Sequence, residues 1–508
     1  MVEAILGIDA GTHGVRVIAA DPSGKVLGEG RDFYPMETPR PGWVEQDPEL
    51  WWRAFINATR EAVTKSGIEY KDVVSLSFSH QRCTVVPVDE GFKPLRKAIL
   101  WNDTRAVKNA EEVKSKLGLE RVVQRTGFQP STNWGIYKAL WVKENEPSIF
   151  KKTYKWLLVH DYFVYRLTGI LKTSASSATM AGAFDPNDPS LRRWAVDILD
   201  EVGLDVERWP EISHPGEPVG HLTHEASKET GLPRDVIVGI GGGDQPMGAL
   251  GAGVIKPGLA SLNLGTSIVI ETVSEKYQPD ARRYYVELNP ALLHAPEGVI
   301  LGGTRTIDWF LQTFNVRAES ALESLTEGAE KLPAGNYGLM LVPYWNGAAN
   351  PLWDAGARGV IAGFGYVHDT YAIFRAILEG IAYEVRWIVE LMEERLSTPL
   401  EEIRLYGGGS KNPLWCQIIA DIIGKKTRTL ECKESSSMGA VVLAAKAAGI
   451  YKSVRESSGE IVKIEKTYNP KPENKKIYDQ FYRDVYSRLY NQIKDLMHHV
   501  SEITGYYP

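Results

Sequence analysis

A carboxylate on a glycine-rich turn is the feature of this chain that most directly suggests chemistry. Residues 241–246 read Gly-Gly-Gly-Asp-Gln-Pro and follow residues 236–240, an apolar run that predicts a buried strand. Glycines let a substrate or phosphate approach the main chain closely, and turns on a rigid scaffold are where catalytic groups concentrate. Asp244 could therefore accept a proton from an attacking hydroxyl. The plainer alternative is an aspartate that caps a helix.

Three further glycine-bearing turns favour the catalytic interpretation of Asp244 over the helix cap. They are Asp9-Ala10-Gly11-Thr12, Leu264-Gly265-Thr266-Ser267 and Gly407-Gly408-Gly409-Ser410. A Gly-Thr turn between strands offers free backbone N–H groups and a hydroxyl, which suit a phosphate. Asp9 could hold Mg²⁺, directly or through water, and the third turn would let a flat ring such as a nucleobase lie against bare backbone. Each turn alone is more often a plain turn, but together they indicate a nucleotide site.

The elements that must position these turns form an α/β pattern that occurs twice. In the first half we predict strands at 4–8, 15–21, 26–30 and 73–79, and helices at 49–66, 108–116, 133–144 and 156–167. The second half begins again with strand, Gly-Thr turn and strand at 259–264 and 267–273, followed by a helix at 369–396, a strand at 403–406 and helices at 413–423 and 437–448. Residues 470–500 are polar and predict a peripheral helix. This repetition suggests a duplication around a central cleft.

Composition excludes several classes of function. A chain of 508 residues is expected to form at least two domains. The net charge of −6 gives no electrostatic reason to expect nucleic acid or a membrane surface as partner. Three cysteines, Cys83, Cys416 and Cys432, are too few and too widely spaced for a disulfide framework or a zinc site. With no signal-like N-terminus and no apolar run of membrane-spanning length, we expect a cytoplasmic protein.

The motifs resemble those of the FGGY carbohydrate kinases. The resemblance runs from residue 5 to about residue 453 and is carried by the following segments: 7–12, similar to the family's first phosphate loop; 42–48, Gly-Trp-Val-Glu-Gln-Asp-Pro; 243–245, Gly-Asp-Gln; 357–363 continuing to 375–380; and 407–412, with Gln417 and Asp421 beyond it. The C-terminal segments are individually specific, and the others gain weight from occurring together.

The resemblance implies an α/β, two-domain actin-like ATPase (ribonuclease H-like) fold with a central cleft, in which ATP and a sugar meet. It divides the chain into an N-terminal domain at 1–250, a C-terminal nucleotide-binding domain at 251–455 and a peripheral helical extension at 456–508. ATP and Mg²⁺ are the implied cofactors. Phosphoryl transfer asks mainly for positioning, charge neutralisation and exclusion of water, which such a cleft supplies.

Carried over position by position, the resemblance assigns a role to each motif residue. Asp244 would be the general base, and Asp9 would lie near Mg²⁺. The implied sugar-binding residues are Arg82, Cys83, Trp101, Asn133, Asp244 and Gln245. The implied ATP-binding residues are Thr12, His13, Gly14, Gly265, Thr266, Gly303, Asp308, Gly408 and Asn412.

The sugar itself is harder to predict. Residues 81–84 and 101–105 look most like glycerol kinase, but Cys83 stands where glycerol kinases have a glutamate, and Asn133 where they have a tyrosine. Losing a carboxylate that binds a hydroxyl costs about 1.5–3 kcal/mol of recognition. Xylulokinases carry Gln-Met-His-Gly at residues 81–84, which this chain also lacks, and His13 departs from the family's usual Thr or Ser. We expect a ketopentose such as xylulose, with glycerol as the alternative.

Other interpretations stay open at this point. Arg82 could be a structural ion-pair partner, Trp101 a core residue, His80 a hydrogen-bonded structural histidine, and Cys83 an unreactive pocket wall. An actin-like ATPase that couples nucleotide state to conformation, or a sugar sensor without kinase activity, would share much of this pattern. We expect a small-molecule sugar or polyol as partner. Residues 364–371 and the C-terminal helix are candidate surfaces for a homodimer.

Overall fold

The computed structural model describes residues 3–316 and 321–505. Its first half contains the strands β1 Ala4–Ala10, β2 Gly14–Ala20, β3 Val26–Phe33, β4 Glu45–Gln46, β5 Val73–His80, β6 Val85–Val88, β7 Ala98–Ile99, β8 Lys155–Leu158, β9 Thr173–Ser174, β10 Ile212–Ser213, β11 Pro218–His221, β12 Ile237–Gly239 and β13 Gly242–Gly243. Its helices are α1 Pro48–Ser66, α2 Val107–Leu117, α3 Leu119–Thr126, α4 Gly135–Asn145, α5 Pro147–Lys152, α6 Val159–Thr168, α7 Ala175–Thr179, α8 Val196–Val202, α9 His224–Thr230 and α10 Asp244–Gly251.

The second half has fewer and longer elements. Its strands are β14 Leu259–Leu264, β15 Ile268–Thr272, β16 Tyr285–Asn289, β17 Leu293–Ile300, β18 Met340–Val342, β19 Val360–Ala362, β20 Glu402–Tyr406, β21 Lys426–Leu430 and β22 Ile464–Tyr468. Its helices are α11 Thr304–Thr313, α12 Ala321–Glu330, α13 Thr370–Leu396, α14 Pro413–Ile423, α15 Ser435–Ala447, α16 Val454–Ile461, α17 Pro472–Phe481 and, after a π-helical turn at Tyr482–Tyr486, α18 Ser487–Thr504.

The two main sheets repeat one strand order. In the first, β3, β2 and β1 are antiparallel neighbours and β5 lies parallel to β1, with β12 beyond it. In the second, β17, β15 and β14 are antiparallel neighbours and β20 lies parallel to β14, with β21 beyond it. The repeated layout predicted from the sequence is therefore confirmed.

One predicted helix was wrong at its beginning. Residues 156–167 were expected to be helical throughout, but Lys155–Leu158 forms β8, which pairs with β6, and the helix begins only at Val159. A short apolar run is compatible with either structure, and here pairing with β6 decides. The Asp161 side chain accepts a hydrogen bond of 2.9 Å from the Leu158 N–H and fixes the start of α6.

Helix α15 joins the two halves, although in sequence it lies between β21 and β22 of the second sheet. It packs against α10 and against β1 of the first sheet, with glycines at the closest approaches. A Cβ atom on Gly251 would lie 1.9 Å from the Ser435 carbonyl oxygen, one on Gly439 2.1 Å from the Met247 carbonyl oxygen, and one on Gly7 2.1 Å from the Ser437 carbonyl oxygen. Any larger residue would push these elements apart.

The C-terminal segment is more closely integrated than the peripheral position we expected. Strand β22 is the edge strand of the second sheet and pairs with β21. Four tyrosines after β22 are buried in the second core: Tyr478, Tyr482, Tyr486 and Tyr490. Two of their hydroxyl groups bond buried glutamates: Tyr478 donates a 2.7 Å hydrogen bond to Glu379, and Tyr486 donates one of 2.9 Å to Glu384. A segment that reads as polar therefore still buries one face. The division at residues 250 and 455 stays a prediction. Within the described residues, no helix combines the length and the apolar character needed to cross a membrane.

We predict that Gly251→Ala destabilises the protein by about 1–3 kcal/mol, because the new methyl group must displace the backbone of α15. Gly459→Ala is the matched control. Gly459 lies in α16 with nothing within 4 Å of its Cβ position, so alanine there should raise the stability slightly. Thermal unfolding of both variants tests this, and equal melting temperatures would contradict it.

Candidate active site

Three parallel strands of the first sheet end at the same level. Asp9 on β1 lies opposite Ser79 on β5, and Gly242 and Gly243 on β13 lie opposite Ser79 and His80. Because ligands of open α/β sheets bind outside the carboxyl ends of strands, this edge is where a site is expected. It brings together the two aspartates, Asp9 and Asp244, that lie 235 residues apart in the sequence.

A buried histidine holds the turn before Asp244. A Cβ atom on Gly241 would lie 1.8 Å from the Phe78 carbonyl oxygen, so only glycine fits there. The Gly241 N–H donates a 3.0 Å hydrogen bond to His160 Nε2. Nδ1 of His160 must then carry the ring proton, and it lies 3.1 Å from Asp161 Oδ1. Sequence reasoning did not identify His160, because nothing in its local pattern connects it with a turn so far along the chain.

Arg82 lies directly beside Asp244. Its Nε atom is 3.0 Å from Asp244 Oδ1, and Gln245 donates a backbone N–H bond of 2.9 Å to the same oxygen. Asp244 is the first residue of α10 and is only partly buried. Burial raises the pKa of Asp244, and the Arg82 charge opposes that rise. Arg82 is thus an ion-pair partner, as the structural alternative predicted, and it also lies at the site.

Asp9 is suited to a divalent cation. Ser79 Oγ donates a 2.7 Å hydrogen bond to Asp9 Oδ1, and Oδ2 has no hydrogen-bond partner among the described residues. Burial, together with the nearby negative charge of Asp244, raises the pKa of Asp9 to about 6. Neutralising two neighbouring carboxylates is what a cation between them would do, and carboxylate with phosphate oxygens is the ligand set that Mg²⁺ prefers.

The segment 42–48, Gly-Trp-Val-Glu-Gln-Asp-Pro, contributes a buried glutamine that supports the first glycine turn. Gln46, within residues 42–48, donates a 2.7 Å bond to the Thr12 carbonyl oxygen, and its own oxygen accepts bonds from Trp51 and Gln81. Trp101 donates a 3.0 Å bond to Thr12 Oγ1 and keeps 39% of its surface exposed, so it is not a core residue. Hydrogen bonds from Gln46 and Trp101 therefore fix Thr12 in this turn, while the next residue, His13, stays exposed.

Lys138 links Cys83 and Asn133, two of the residues predicted to bind the sugar. It is fully buried, and its ammonium group donates to the backbone carbonyl oxygens of Cys83, at 2.7 Å, and of Asn133. Burial lowers the pKa of Lys138 to about 8 and raises that of the Cys83 thiol to about 12. The Cys83 thiol is therefore neutral, and the residue adopts a left-handed backbone with φ of 63°, a conformation that clusters at functional sites. His80 bonds Gln81 and Ser177 in the core and is structural.

The glycine turns of the second half also converge. The Thr304 N–H donates a 2.9 Å bond to the Gly265 carbonyl oxygen, and a Cβ atom on Gly303 would lie 2.7 Å from the carbonyl oxygens of both Gly265 and Thr266. At Gly407 a Cβ atom would lie 2.5 Å from Asn263 Oδ1, so the third turn adjoins the end of β14.

The remaining residues that were predicted to bind ATP differ in exposure and in the hydrogen bonds that they already make. Gly408 is exposed, with nothing within 4 Å of its Cβ position, which leaves room for a ring. The Asn412 side chain is already engaged, because its oxygen caps α14 at Trp415 and its amide donates to Thr326. Asp308 is exposed on α11.

Gln245 connects the two halves. Its Oε1 atom accepts a 3.2 Å hydrogen bond from Asn263 Nδ2, and Asn263 is the second-half residue that adjoins Gly407. One side chain next to Asp244 is therefore linked to the strand that carries the Gly265–Thr266 turn.

Three buried glutamates of the second sheet were not identified from the sequence. Glu271, Glu287 and Glu297 lie on β15, β16 and β17, and one carboxylate oxygen of each is within 4.8 Å of the others. Glu297 Oε2 is 2.8 Å from Arg82 Nη1, and Glu287 contacts the same nitrogen. Burial, the largest cause, and the nearby negative charges raise the pKa of each of them, that of Glu271 to about 8. Their proximity depends on strand register, which the sequence does not state.

Sequence comparison agrees with this geometry. The sequence patterns of the FGGY family of carbohydrate kinases match residues 4–251 for its N-terminal domain and 260–448 for its C-terminal domain. This chain belongs to the FGGY family of carbohydrate kinases. The predicted family and the kinase class of enzyme are thereby confirmed.

Two curated relatives illustrate the range of substrates among FGGY kinases. The chain is 33% identical over 494 residues to the xylulose kinase of Bacillus subtilis strain 168, covering 97% of each. It is 29% identical over 484 residues to the glycerol kinase of Thermococcus kodakarensis, covering 94% of each.

Solved structures of FGGY kinases share its fold. The gluconate kinase of Lactobacillus acidophilus superposes with a TM-score of 0.89 at 25% identity, covering 97% of this chain and 98% of that one. The ligand-bound xylulose kinase of the same organism superposes with a TM-score of 0.88 at 25% identity, covering 97% and 99%. The predicted two-domain actin-like fold is thus confirmed for this kinase.

We predict that His160→Phe lowers kcat about tenfold or more, because the buried Gly241 N–H loses its acceptor and the turn before Asp244 loosens. His160→Gln, which still offers a side-chain oxygen, should retain more activity. Steady-state kinetics of both variants, with circular dichroism to verify folding, test this. An equal loss of kcat in the two variants would contradict a role for the hydrogen-bond acceptor at residue 160.

Proposed function

We propose that this kinase transfers the γ-phosphoryl group of ATP to a hydroxyl group of a ketopentose, with D-xylulose as the first candidate. The observation that carries the proposal is the position of Asp244. It is partly exposed at the first residue of α10, beside Arg82 and at the same sheet edge as Asp9 and the Thr12 turn. The similarity to a xylulose kinase over nearly the whole chain supports the choice of sugar.

In this proposal Asp244 is the general base. The sugar hydroxyl gives its proton to Asp244 as its oxygen forms a bond to the γ-phosphorus, and the bond from that phosphorus to the β–γ bridging oxygen breaks to release ADP. A base within reach contributes about 10²- to 10⁴-fold to such a step. Holding the two substrates in line contributes more, because phosphoryl transfer needs little covalent help from the protein.

Asp9 would hold Mg²⁺ through Oδ2, which has no hydrogen-bond partner in the described part of the chain. When bound there, Mg²⁺ would neutralise phosphate charge. Thr12, His13 and Gly14 would approach the phosphates from the first half.

From the second half, Gly265, Thr266 and Gly303 would approach the phosphates, and Asp308 lies nearby in sequence on α11. We assign the adenine contact mainly to Gly408, because its backbone is open, whereas the Asn412 side chain already caps α14.

On the sugar side, Arg82, Asn133 and Gln245 would bind hydroxyl groups. Trp101, whose N–H already donates to Thr12, would offer its exposed ring as a packing surface, and Cys83 would form the wall. A neutral thiol cannot replace a hydroxyl-binding carboxylate, which weighs against glycerol. Glycerol remains the second candidate because Arg82 and Trp101 follow the glycerol kinase pattern and a glycerol kinase is 29% identical.

The non-kinase alternatives have less support. A sugar sensor without chemistry would not need Asp9 and Asp244 together at one strand edge, and an ATPase without a sugar would not need Arg82 beside Asp244. A homodimer remains a prediction, and the exposed side chains of Phe364, Tyr366 and Val367 are its candidate surface. A cytoplasmic location is likewise a prediction from the sequence.

The first test is ATP/Mg²⁺ turnover against D-xylulose, L-xylulose, D-ribulose, L-ribulose, glycerol, erythritol and gluconate. D-xylulose should give the highest kcat/KM, and Asp244→Asn should lower kcat about 10²- to 10⁴-fold because the base is lost. A preference for glycerol would replace the proposed substrate. Turnover that ignores every sugar and survives in Asp244→Asn would contradict the kinase mechanism.

A second test concerns the metal. Asp9→Asn should raise the Mg²⁺ concentration needed for half-maximal activity about tenfold or more, because an amide is a weaker Mg²⁺ ligand than a carboxylate. Sugar binding without nucleotide should change little. Ser79→Ala, which removes only the hydrogen bond to Asp9 Oδ1, is the matched control and should shift the Mg²⁺ requirement less. An unchanged Mg²⁺ requirement in Asp9→Asn would exclude this assignment.

A further inference from the structure

The guanidinium group of Arg82 spans the two halves of the molecule. Its Nε atom pairs with Asp244 of the first half, while Nη1 contacts both Glu287 and Glu297 of the second. Its remaining nitrogen, Nη2, has no hydrogen-bond partner among the described residues, and the side chain keeps 18% of its surface exposed. Nη2 is therefore the part of Arg82 that is free to donate to a ligand.

The glutamates decide where Nη2 points. A guanidinium group is planar and its nitrogens form a rigid fork, so fixing Nε and Nη1 fixes the direction of Nη2 as well. Glu287 and Glu297 are buried, and a hydrogen bond in which the donor is charged, as Arg82 is, is about twice as strong as a neutral one. Without them, Arg82 would be held by Asp244 alone and could rotate about that contact.

The backbone around Arg82 agrees with a fixed side chain. A Cβ atom on Gly243 would lie 2.8 Å from Arg82 Cγ, so glycine at 243 leaves room for the arginine stem. The next residue, Cys83, has a φ of 63°, and Lys138 holds its carbonyl group. The aliphatic part of the Arg82 side chain is thus constrained by residues of the first half, whereas Nη1 is held by glutamates of the second half.

We propose that Glu287 and Glu297 are positioning residues for the sugar: they hold Arg82 Nη1 from the second half so that Nη2 faces the sugar hydroxyl. The sugar site of the first half is then complete only while the second half lies against it, which couples sugar binding to closure of the cleft. This inference rests on the proposed function, since it takes Arg82 as a sugar-binding residue. Neither glutamate touches the sugar.

Glu271 provides a matched control within the same cluster. It lies opposite Glu297 in the strand register, is equally buried and is close to both other carboxylates. Its Oε1 atom accepts a 3.2 Å bond from Asn289, and it makes no ion pair with Arg82. Glu271→Gln therefore makes the same chemical change in the same surroundings without altering the hold on Arg82.

The experiment measures binding of D-xylulose to the full-length protein by isothermal titration calorimetry, without nucleotide and with a non-hydrolysable ATP analogue. The variants Glu287→Gln, Glu297→Gln and the double variant should weaken D-xylulose binding, the double variant by about tenfold or more. Glu271→Gln should bind D-xylulose as the unchanged protein does. Binding of the ATP analogue alone should stay within about twofold in all of them.

An Arg82→Lys background shows whether the glutamates act through Arg82. Lysine has no second terminal nitrogen to orient, so adding Glu287→Gln and Glu297→Gln there should weaken D-xylulose binding further by less than twofold. The inference is overturned if the double variant binds D-xylulose normally, if its effect persists in full in the lysine background, or if Glu271→Gln is equally impaired. If the unchanged protein neither binds nor phosphorylates D-xylulose, the proposed substrate fails instead.

Discussion

The arrangement of the site depends on the close approach of the Gly241 backbone to the Phe78 carbonyl group. That approach lets β13 pair with β5 at the level where β5 pairs with β1, which sets Asp244 beside the strand edge that carries Asp9. A side chain at residue 241 would forbid it, since its Cβ atom would overlap a backbone oxygen. The geometry of the candidate site thus begins as a backbone constraint, and the hydrogen bond from Gly241 to His160 secures it.

Charge is the second constraint on this site. Asp244, Glu287 and Glu297 surround one arginine, with Glu271 beside them, so carboxylates exceed cations in a region mostly shielded from water. Uncompensated buried charge is expensive, and the raised pKa values of the three glutamates reflect that cost. Arg82 reduces this cost because its one positive charge pairs with carboxylates of both halves. The same residue therefore contributes to the contact between the halves and to the charge environment of Asp244.

Much of this could be predicted from the sequence, and the parts that could not share a physical cause. Strand–turn–strand patterns and glycine turns are local, so the doubled layout and the turns at Asp9, Asp244 and Gly265 were recognisable. Contacts that depend on register or on distant packing were not. The glutamates meet only because β15, β16 and β17 align as they do, and α6 begins late because β8 pairs with β6. Lys138 reads as an ordinary helical lysine until its burial is known.

The Cys83 thiol and Lys138 together suggest why this chain lacks the glutamate that glycerol kinases have at residue 83. A carboxylate in place of the Cys83 thiol would lie near Glu287 and Asp244, and Arg82 would have to compensate one more negative charge. With a neutral thiol at residue 83, the second half can supply the carboxylates that hold Arg82, while Lys138 holds the backbone of Cys83 and Asn133. The position of the acidic groups, on second-half strands at the arginine rather than at residue 83, then follows from the limited negative charge that one buried arginine can compensate. Recognition of the sugar would pass to hydrogen-bond donors and to the shape of the wall, which suits a substrate with more hydroxyl groups and a larger outline than glycerol.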